Sequence, residues 1–276
     1  MFSYYGSKKI LSKHYPFPKY DTIIEPFAGA AMFSLHSTNW KKDVILYDKY
    51  DKVFLVWDYL INHADESDIE TLPDLTEGLD LDTLNICEGE RALLGFLANP
   101  ASAVPKKTVT KRGEKSWPRQ RQYILDNLYK VKHWKIFKDT FTNIENIEAT
   151  WFIDPPYQFG GKYYHSSVSN KLIDYPELAK WCRSRKGEVI VCENSTADWL
   201  SFHPLAELNG QLHKTLEVIY YQSDDFNKWL EQFIIESGHS WGSGIYVRLN
   251  TGETLSTVSD EYKSWYYNKL KEYQNV

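Results

Sequence analysis

A chain of 276 residues is long enough for one large domain or for a domain carrying an insertion. Its 42% hydrophobic and 16% aromatic residues supply an ample core, no apolar run approaches membrane-spanning length, and nothing at the N-terminus resembles a signal peptide, which set aside a disordered chain and a bilayer helix. A formal charge of −5 argues against a uniformly basic nucleic-acid binder, and Cys87, Cys182 and Cys192 show neither metal-like spacing nor a disulfide framework, so a soluble protein of a reducing, cytoplasmic setting is expected.

In chain order, Thr22 to Phe33 reads as a strand, a small-residue turn (Ala28, Gly29, Ala30) and a helix start. Small residues let backbone approach a ligand, and a helix N-terminus offers free N–H groups. A second strand, Val44 to Tyr47, ends in Asp48. An acid about twenty residues beyond a glycine turn, closing the next strand, is placed to accept the hydroxyls of a ribose. Val53, Phe54, Val56, Trp57 and Leu60 follow helical spacing, so residues 1–60 read as strand, helix, strand, helix.

From residue 61 the pattern turns helical and acidic, with ten acids and no Lys or Arg between Ala64 and Glu90. The clearest helix runs from Glu90 to Leu97 and stops at Asn99-Pro100. Pro105 to Arg121 follows with seven Lys/Arg and one acid, Glu114. Pro105, Gly113 and Pro118 make that segment read as a strongly basic loop, which is where phosphates bind, since neutralised phosphates release counterions. Arg121 to Lys130 reads as helix again, and strand patterns resume near Trp134 to Phe137. Past residue 150, Lys171 to Arg185 reads as a helix and Val189 to Cys192 as a strand. Segments 205–208 and 216–221 read as closing antiparallel strands. Residues 223–276 read as an aromatic-rich extension, with a helix near Phe226 and Trp229, a hairpin at Asn250-Thr251-Gly252 and a terminal helix near Trp265, expected to pack on the preceding domain, with a dimer contact or a nucleic-acid clamp as the alternatives.

The most informative segment is Asp154-Pro155-Pro156-Tyr157, directly after the apolar strand pattern Thr150 to Ile153. Two prolines cannot donate to a ladder or enter a helix interior, so the chain must leave the sheet in a stiff turn. That turn holds a carboxylate, a proline carbonyl and an aromatic ring at the carboxyl end of a strand, where open α/β sheets bind ligands. The trio suits a flat heterocycle bearing an exocyclic amine.

These segments together resemble the Dam-type adenine-specific DNA methyltransferases from about Tyr4 to Tyr220. Tyr4-Tyr5-Gly6-Ser7-Lys8 is similar to the family's N-terminal cofactor segment, Glu25-Pro26-Phe27-Ala28-Gly29-Ala30 to its cofactor loop, and Asp48 to its ribose acid. Phe137-Lys138-Asp139-Thr140-Phe141 resembles the element flanking the cofactor's adenine, and Asp154 to Tyr157 matches the catalytic motif unchanged. Tyr163-Tyr164-His165 resembles the aromatic segment that follows it, and Val189 to Asn194 the next strand. Two departures stand out: Ala30 occupies a position often held by a second glycine, and the family's Asn-rich base-reading hairpin is not recognisable.

The resemblance implies a Rossmann-like α/β sheet using S-adenosyl-L-methionine and no metal. Residues 1–60 and 131–222 would form the catalytic domain, and 61–130 an inserted, mostly helical target-recognition domain. It implies Asp154, Pro155, Pro156 and Tyr157 as catalytic residues, and Tyr4, Lys8, Glu25, Phe27, Ala28, Gly29, Asp48, Asp139, Phe141 and Tyr164 as cofactor residues. Lys106, Lys107, Lys111, Arg112, Trp117, Arg119, Arg121 and His165 are the candidates for nucleic-acid contact. The expected partner is double-stranded DNA, with no membrane, in a monomer of a prokaryotic or phage-infected cell; a cognate restriction endonuclease as a further partner and a solitary or phage-borne enzyme without one both stay open. Cytosine N4, RNA adenine or protein glutamine acceptors, and an idle binding protein, are the competing readings; Asp as the first motif residue leans toward adenine.

Overall fold

The computed structural model describes residues 1–159, 164–209 and 214–223, and residue 268 alone. Tyr163 and the C-terminal extension from residue 224, hairpin included, lie outside the described residues apart from Asn268. The described chain is α/β, with a mostly parallel seven-stranded sheet of order β3-β2-β1-β4-β5-β7-β6. As far as β5 this is the order of doubly wound nucleotide-binding sheets, compatible with a Rossmann-like fold. Contacts divide the chain into two units, one comprising Met1–Lys13, Thr22–Ile144 and Lys162–Ser169, the other His14–Asp21, Glu145–Gly161 and the rest.

In the first unit, β1 (Thr22–Glu25), β2 (Asp43–Tyr47) and β3 (Lys135–Phe137) pair in parallel, with Ile23 opposite Val44 and Leu46 opposite Ile136. Ile23, Val44 and Leu46 are buried, as parallel strands covered on both faces require. The stretch after β1 departs from expectation: residues 26–38 form turns, not a helix. Ala31 has φ +45°, a left-handed conformation that a right-handed helix cannot propagate through.

Helix α1 (Asp51–Asp58) runs into a π-turn, Tyr59–His63, and buries Val53, Val56 and Trp57. Helices α2 (Glu66–Thr71) and α3 (Glu88–Leu97) each begin with a capping box, Asp65 with Asp68 and Cys87 with Glu90. Such caps satisfy N–H groups that the helix leaves open. The basic segment is a loop only as far as Thr110. Residues Lys111–Leu125 form α4, capped by the Thr110 hydroxyl, which accepts from Gly113 N–H at 3.1 Å. Gly113, read as a breaker, is there for close packing: a Cβ would lie 2.2 Å from the Ala98 carbonyl oxygen. Pro118 sits inside the helix, and the helical reading of Arg121 to Lys130 ends sooner, at Leu125, with a 3₁₀ turn at Leu128–Val131. The segment 61–130 thus lies wholly within the first unit.

In the second unit, β4 (Ala149–Ile153) is buried at every position and pairs in parallel with β5 (Gly187–Asn194). β7 (Lys214–Ser223) runs antiparallel to β5 and to β6 (His203–Asn209), as the closing-strand reading expects. Helix α5 (Tyr175–Arg183) starts at Asp174, whose carboxylate accepts from Glu177 N–H at 2.9 Å, with Pro176 in the first turn. The buried Glu188 on β5 accepts from Thr150 Oγ1 at 2.7 Å, Tyr221 OH at 2.8 Å and Lys19 N–H at 3.0 Å, which offsets the cost of burying a carboxylate.

Candidate functional site

The site residues read from the sequence fall into two groups, one in each unit. The first surrounds the loop after β1. Gly29 has φ +44°, its N–H donates to Asp48 Oδ2 at 3.0 Å, and its carbonyl accepts from Trp57 Nε1 at 2.8 Å. The loop enters this arrangement from Ala28, whose N–H donates to the Tyr47 carbonyl at 2.9 Å. Asp48 stands at the end of β2 and is buried, and its Oδ1 accepts from Tyr50 N–H at 2.8 Å. Burial raises its pKa to about 6, against the lowering effect of those two N–H groups. An ionised carboxylate offers about four acceptor positions, so two hydroxyls can still be accommodated.

The N-terminal segment comes to the same place. The buried Tyr4 ring flanks Gly29, where a Cβ would lie 3.2 Å from it, and packs edge-on against Phe96 at 5.5 Å and against Tyr164 at 6.1 Å. Tyr164 also meets Tyr5 at 5.3 Å, and its hydroxyl fills the space beside Gly6. Lys8, 5% exposed, donates to the Gly6 carbonyl at 3.0 Å. Phe27 and Phe141 approach to 5.9 Å. Glu25 and Asp139 have structural engagements: Glu25 Oε1 accepts from both N–H and hydroxyl of Ser34, and Asp139 Oδ1 accepts from Thr140 N–H and Asn143 Nδ2. His165 is exposed and stacks on Tyr50 at 5.1 Å.

The basic residues of this unit separate into two sets. Lys111, Arg112 and Arg119 are exposed and line one open groove with Lys115, which the sequence reading passed over. Positions 111, 115 and 119 are a helical turn apart, about 6 Å along one face of α4. Lys106 is also exposed. The other three have partners within the unit. Trp117 is 2% exposed, and the Arg121 guanidinium lies 4.6 Å over its ring. Arg121 also donates to the Leu72 carbonyl and pairs with Asp74 at 3.1 Å, and Lys107 pairs with Asp82 at 2.5 Å.

The second group surrounds the turn after β4. Asp154 follows the last strand residue, Ile153, and is half-buried, and Pro155 and Pro156 are buried. Three elements grip the next residues. The Pro156 carbonyl accepts from Tyr175 OH on α5 at 2.6 Å. Tyr157 OH donates to Glu217 Oε1 on β7 at 2.5 Å, and Tyr15 OH donates to the same oxygen at 3.0 Å. Gln158 N–H donates to Glu193 Oε1 on β5 at 2.6 Å.

Burial raises the pKa of the Tyr157 phenol well above its ordinary value, aided by the Asp154 and Glu217 carboxylates. Glu193 is raised to about 7, chiefly by burial and also by Asp154, against donors from Gln158, Asn194 and Trp199. Glu193, Glu217, Tyr15 and Tyr175 are the residues that sequence reasoning missed at this turn. The signal available for Glu193 and Glu217 was an acid inside an apolar strand pattern, Val-Ile-Val-Cys-Glu and Leu-Glu-Val-Ile.

No protein-family model matches the chain, and no curated protein matches it. Among the described residues, no helix is long and apolar enough to cross a membrane.

Proposed function

We propose that the chain is an S-adenosyl-L-methionine-dependent DNA methyltransferase acting on the N6 amino group of adenine. The observation that carries the reading is the turn Asp154-Pro155-Pro156-Tyr157 at the carboxyl end of a fully buried strand, held at Pro156, Tyr157 and Gln158 by three elements. The Pro156 carbonyl accepts from Tyr175, and the Asp154 carboxylate and the Pro155 carbonyl are the proposed acceptors for a substrate amine.

The first unit fits the methyl donor by the chemistry of its groups. Asp48 is a buried acid with acceptor capacity for ribose hydroxyls, Phe27 and Phe141 supply aromatic faces for a base, and Lys8 supplies a cation for a carboxylate. Gly29 and Ala28 keep the loop free of bulk, and Tyr164 closes against Tyr4. Glu25 braces the loop through Ser34, and Asp139 fixes the turn that carries Phe141. Bound S-adenosyl-L-methionine supplies an electrophilic methyl group on its sulfonium.

An adenine amine is a poor nucleophile because its lone pair is delocalised into the ring. Asp154 and the Pro155 carbonyl accept hydrogen bonds from its two N–H groups, draw the nitrogen toward tetrahedral geometry, and stabilise the positive charge that develops on it. Tyr157 stacks on the base, and in-line positioning supplies much of the remaining acceleration. As the amine nitrogen takes the methyl group, the methyl–sulfur bond breaks to leave S-adenosyl-L-homocysteine, and the nitrogen gives up one proton to solvent. A base inside a duplex cannot reach such a turn and must be flipped out. The exposed Lys111, Arg112, Lys115 and Arg119 of α4 are the proposed phosphate contacts, which position without reading sequence. The test is Asp154→Ala: methyl transfer to DNA is abolished while DNA affinity stays within about twofold. Retained transfer would refute the assignment of Asp154.

A further inference from the structure

We infer that Glu217 is a positioning residue, holding the Tyr157 ring through its phenol so that the ring meets an acceptor base by its face alone. Three observations lead there. Tyr157 OH donates to Glu217 Oε1 at 2.5 Å, a short bond of the kind a charged acceptor makes. Glu217 is 6% exposed, so this carboxylate has given up most of its water and depends on protein donors. Tyr15 OH donates to the same oxygen at 3.0 Å, and the Tyr15 ring is itself fixed edge-on against Phe152 of β4 at 5.0 Å.

The carboxylate therefore ties two phenols from distant parts of the sequence to one point on β7. Its register fixes that point, since Glu217 pairs with Asn194 at the end of β5, one residue beyond the Glu193 that holds Gln158 N–H. Consecutive residues of the turn, Tyr157 and Gln158, are thus gripped by adjacent strands through two buried glutamates. A phenol hydroxyl has one proton to donate. Here that proton is committed to Glu217, so Tyr157 has none left to give a base, and what it offers is ring area in a set orientation.

The role rests on the acceptor reading of Asp154 to Tyr157 and is separable from it by experiment. The variants are Tyr157→Phe, which keeps the ring and removes the donor, Glu217→Gln, which keeps the shape and removes the charge, and the two combined. Methyl transfer from labelled S-adenosyl-L-methionine to unmethylated genomic DNA is measured for kcat and for KM in DNA. Each single change is expected to lower kcat about tenfold or more, with KM within about threefold, and the double variant to be within about twofold of the worse single one. Multiplying effects, or a Glu217→Gln enzyme with unchanged kcat, would overturn the assignment.

The same cycle read on urea midpoints decides the anchoring without any activity. Coupled shifts support it and additive shifts refute it, with Tyr15→Phe as the second probe of the shared oxygen. A wild-type protein that transfers no methyl group removes the acceptor reading, while coupled midpoints would still establish the anchor.

Discussion

Replacing Asp48 by Asn tests whether the acid at the end of β2 is the buried, loop-holding group described above. Both carboxylate oxygens accept a backbone N–H, from Gly29 at 3.0 Å and Tyr50 at 2.8 Å. Asparagine keeps one acceptor and turns an NH₂ toward the other donor, leaving a buried N–H unpaired, a defect of about 1–3 kcal/mol. A second signature lies in pH. The folded-state pKa is about 6 against the ordinary carboxylate value of 3.8, so between those values the folded state binds more protons than the unfolded one. Asp48 then contributes stability that is fully present below pH 4 and is lost as pH rises through 6, by about 3 kcal/mol at roughly 1.4 kcal/mol per pKa unit. Asparagine does not titrate. The advantage of wild type over Asp48→Asn, measured by urea denaturation at half-unit steps from pH 4 to 7.5, should shrink by about that amount and level off above 7. A gap that stays constant, or widens with pH, would refute the account of Asp48.

Gly113→Ala pushes a methyl to 2.2 Å from the Ala98 carbonyl oxygen and should destabilise the protein by about 3 kcal/mol, the upper range for overpacking, read as a shift in urea midpoint. Lys111→Ala, Lys115→Ala and Arg119→Ala combined should weaken DNA binding on every sequence alike and reduce the slope of log affinity against log salt by about 2.7, at about 0.9 per phosphate contact. Arg121→Ala should behave oppositely: stability falls by about 1–2 kcal/mol as the Leu72 and Asp74 partners and the Trp117 contact are lost, while the salt slope is unchanged, checked by unfolding and fluorescence titration.

What the sequence made legible was local. An apolar run followed by Asp-Pro-Pro-Tyr could only be a strand leaving the sheet in a stiff turn, and β4 with its turn is that. Asp48 was readable because strand, acid and helix start follow each other directly. The closing strands were readable from their apolar runs.

Features that depend on distant partners were not legible. Arg121 looks like a phosphate ligand until Leu72 and Asp74 claim it, and Trp117 looks like a stacking platform until it is seen buried. Gly113 and Pro118 argued for a loop, yet the Thr110 cap and the space left by Gly113 against Ala98 allow a helix from Lys111 through the rest of the basic stretch. The helix expected after β1 fails at Ala31, whose left-handed backbone no pattern of small residues announces. Glu217 acts on Tyr157 from 60 residues away, a separation that period and propensity do not see.

The central claim is methyl transfer to adenine, and the most direct measurement uses labelled S-adenosyl-L-methionine and unmethylated genomic DNA, followed by nucleoside analysis of the product. The account predicts label in N6-methyladenine, lost in Asp154→Ala. Label in N4-methylcytosine, in RNA alone, or in no base at all would contradict it.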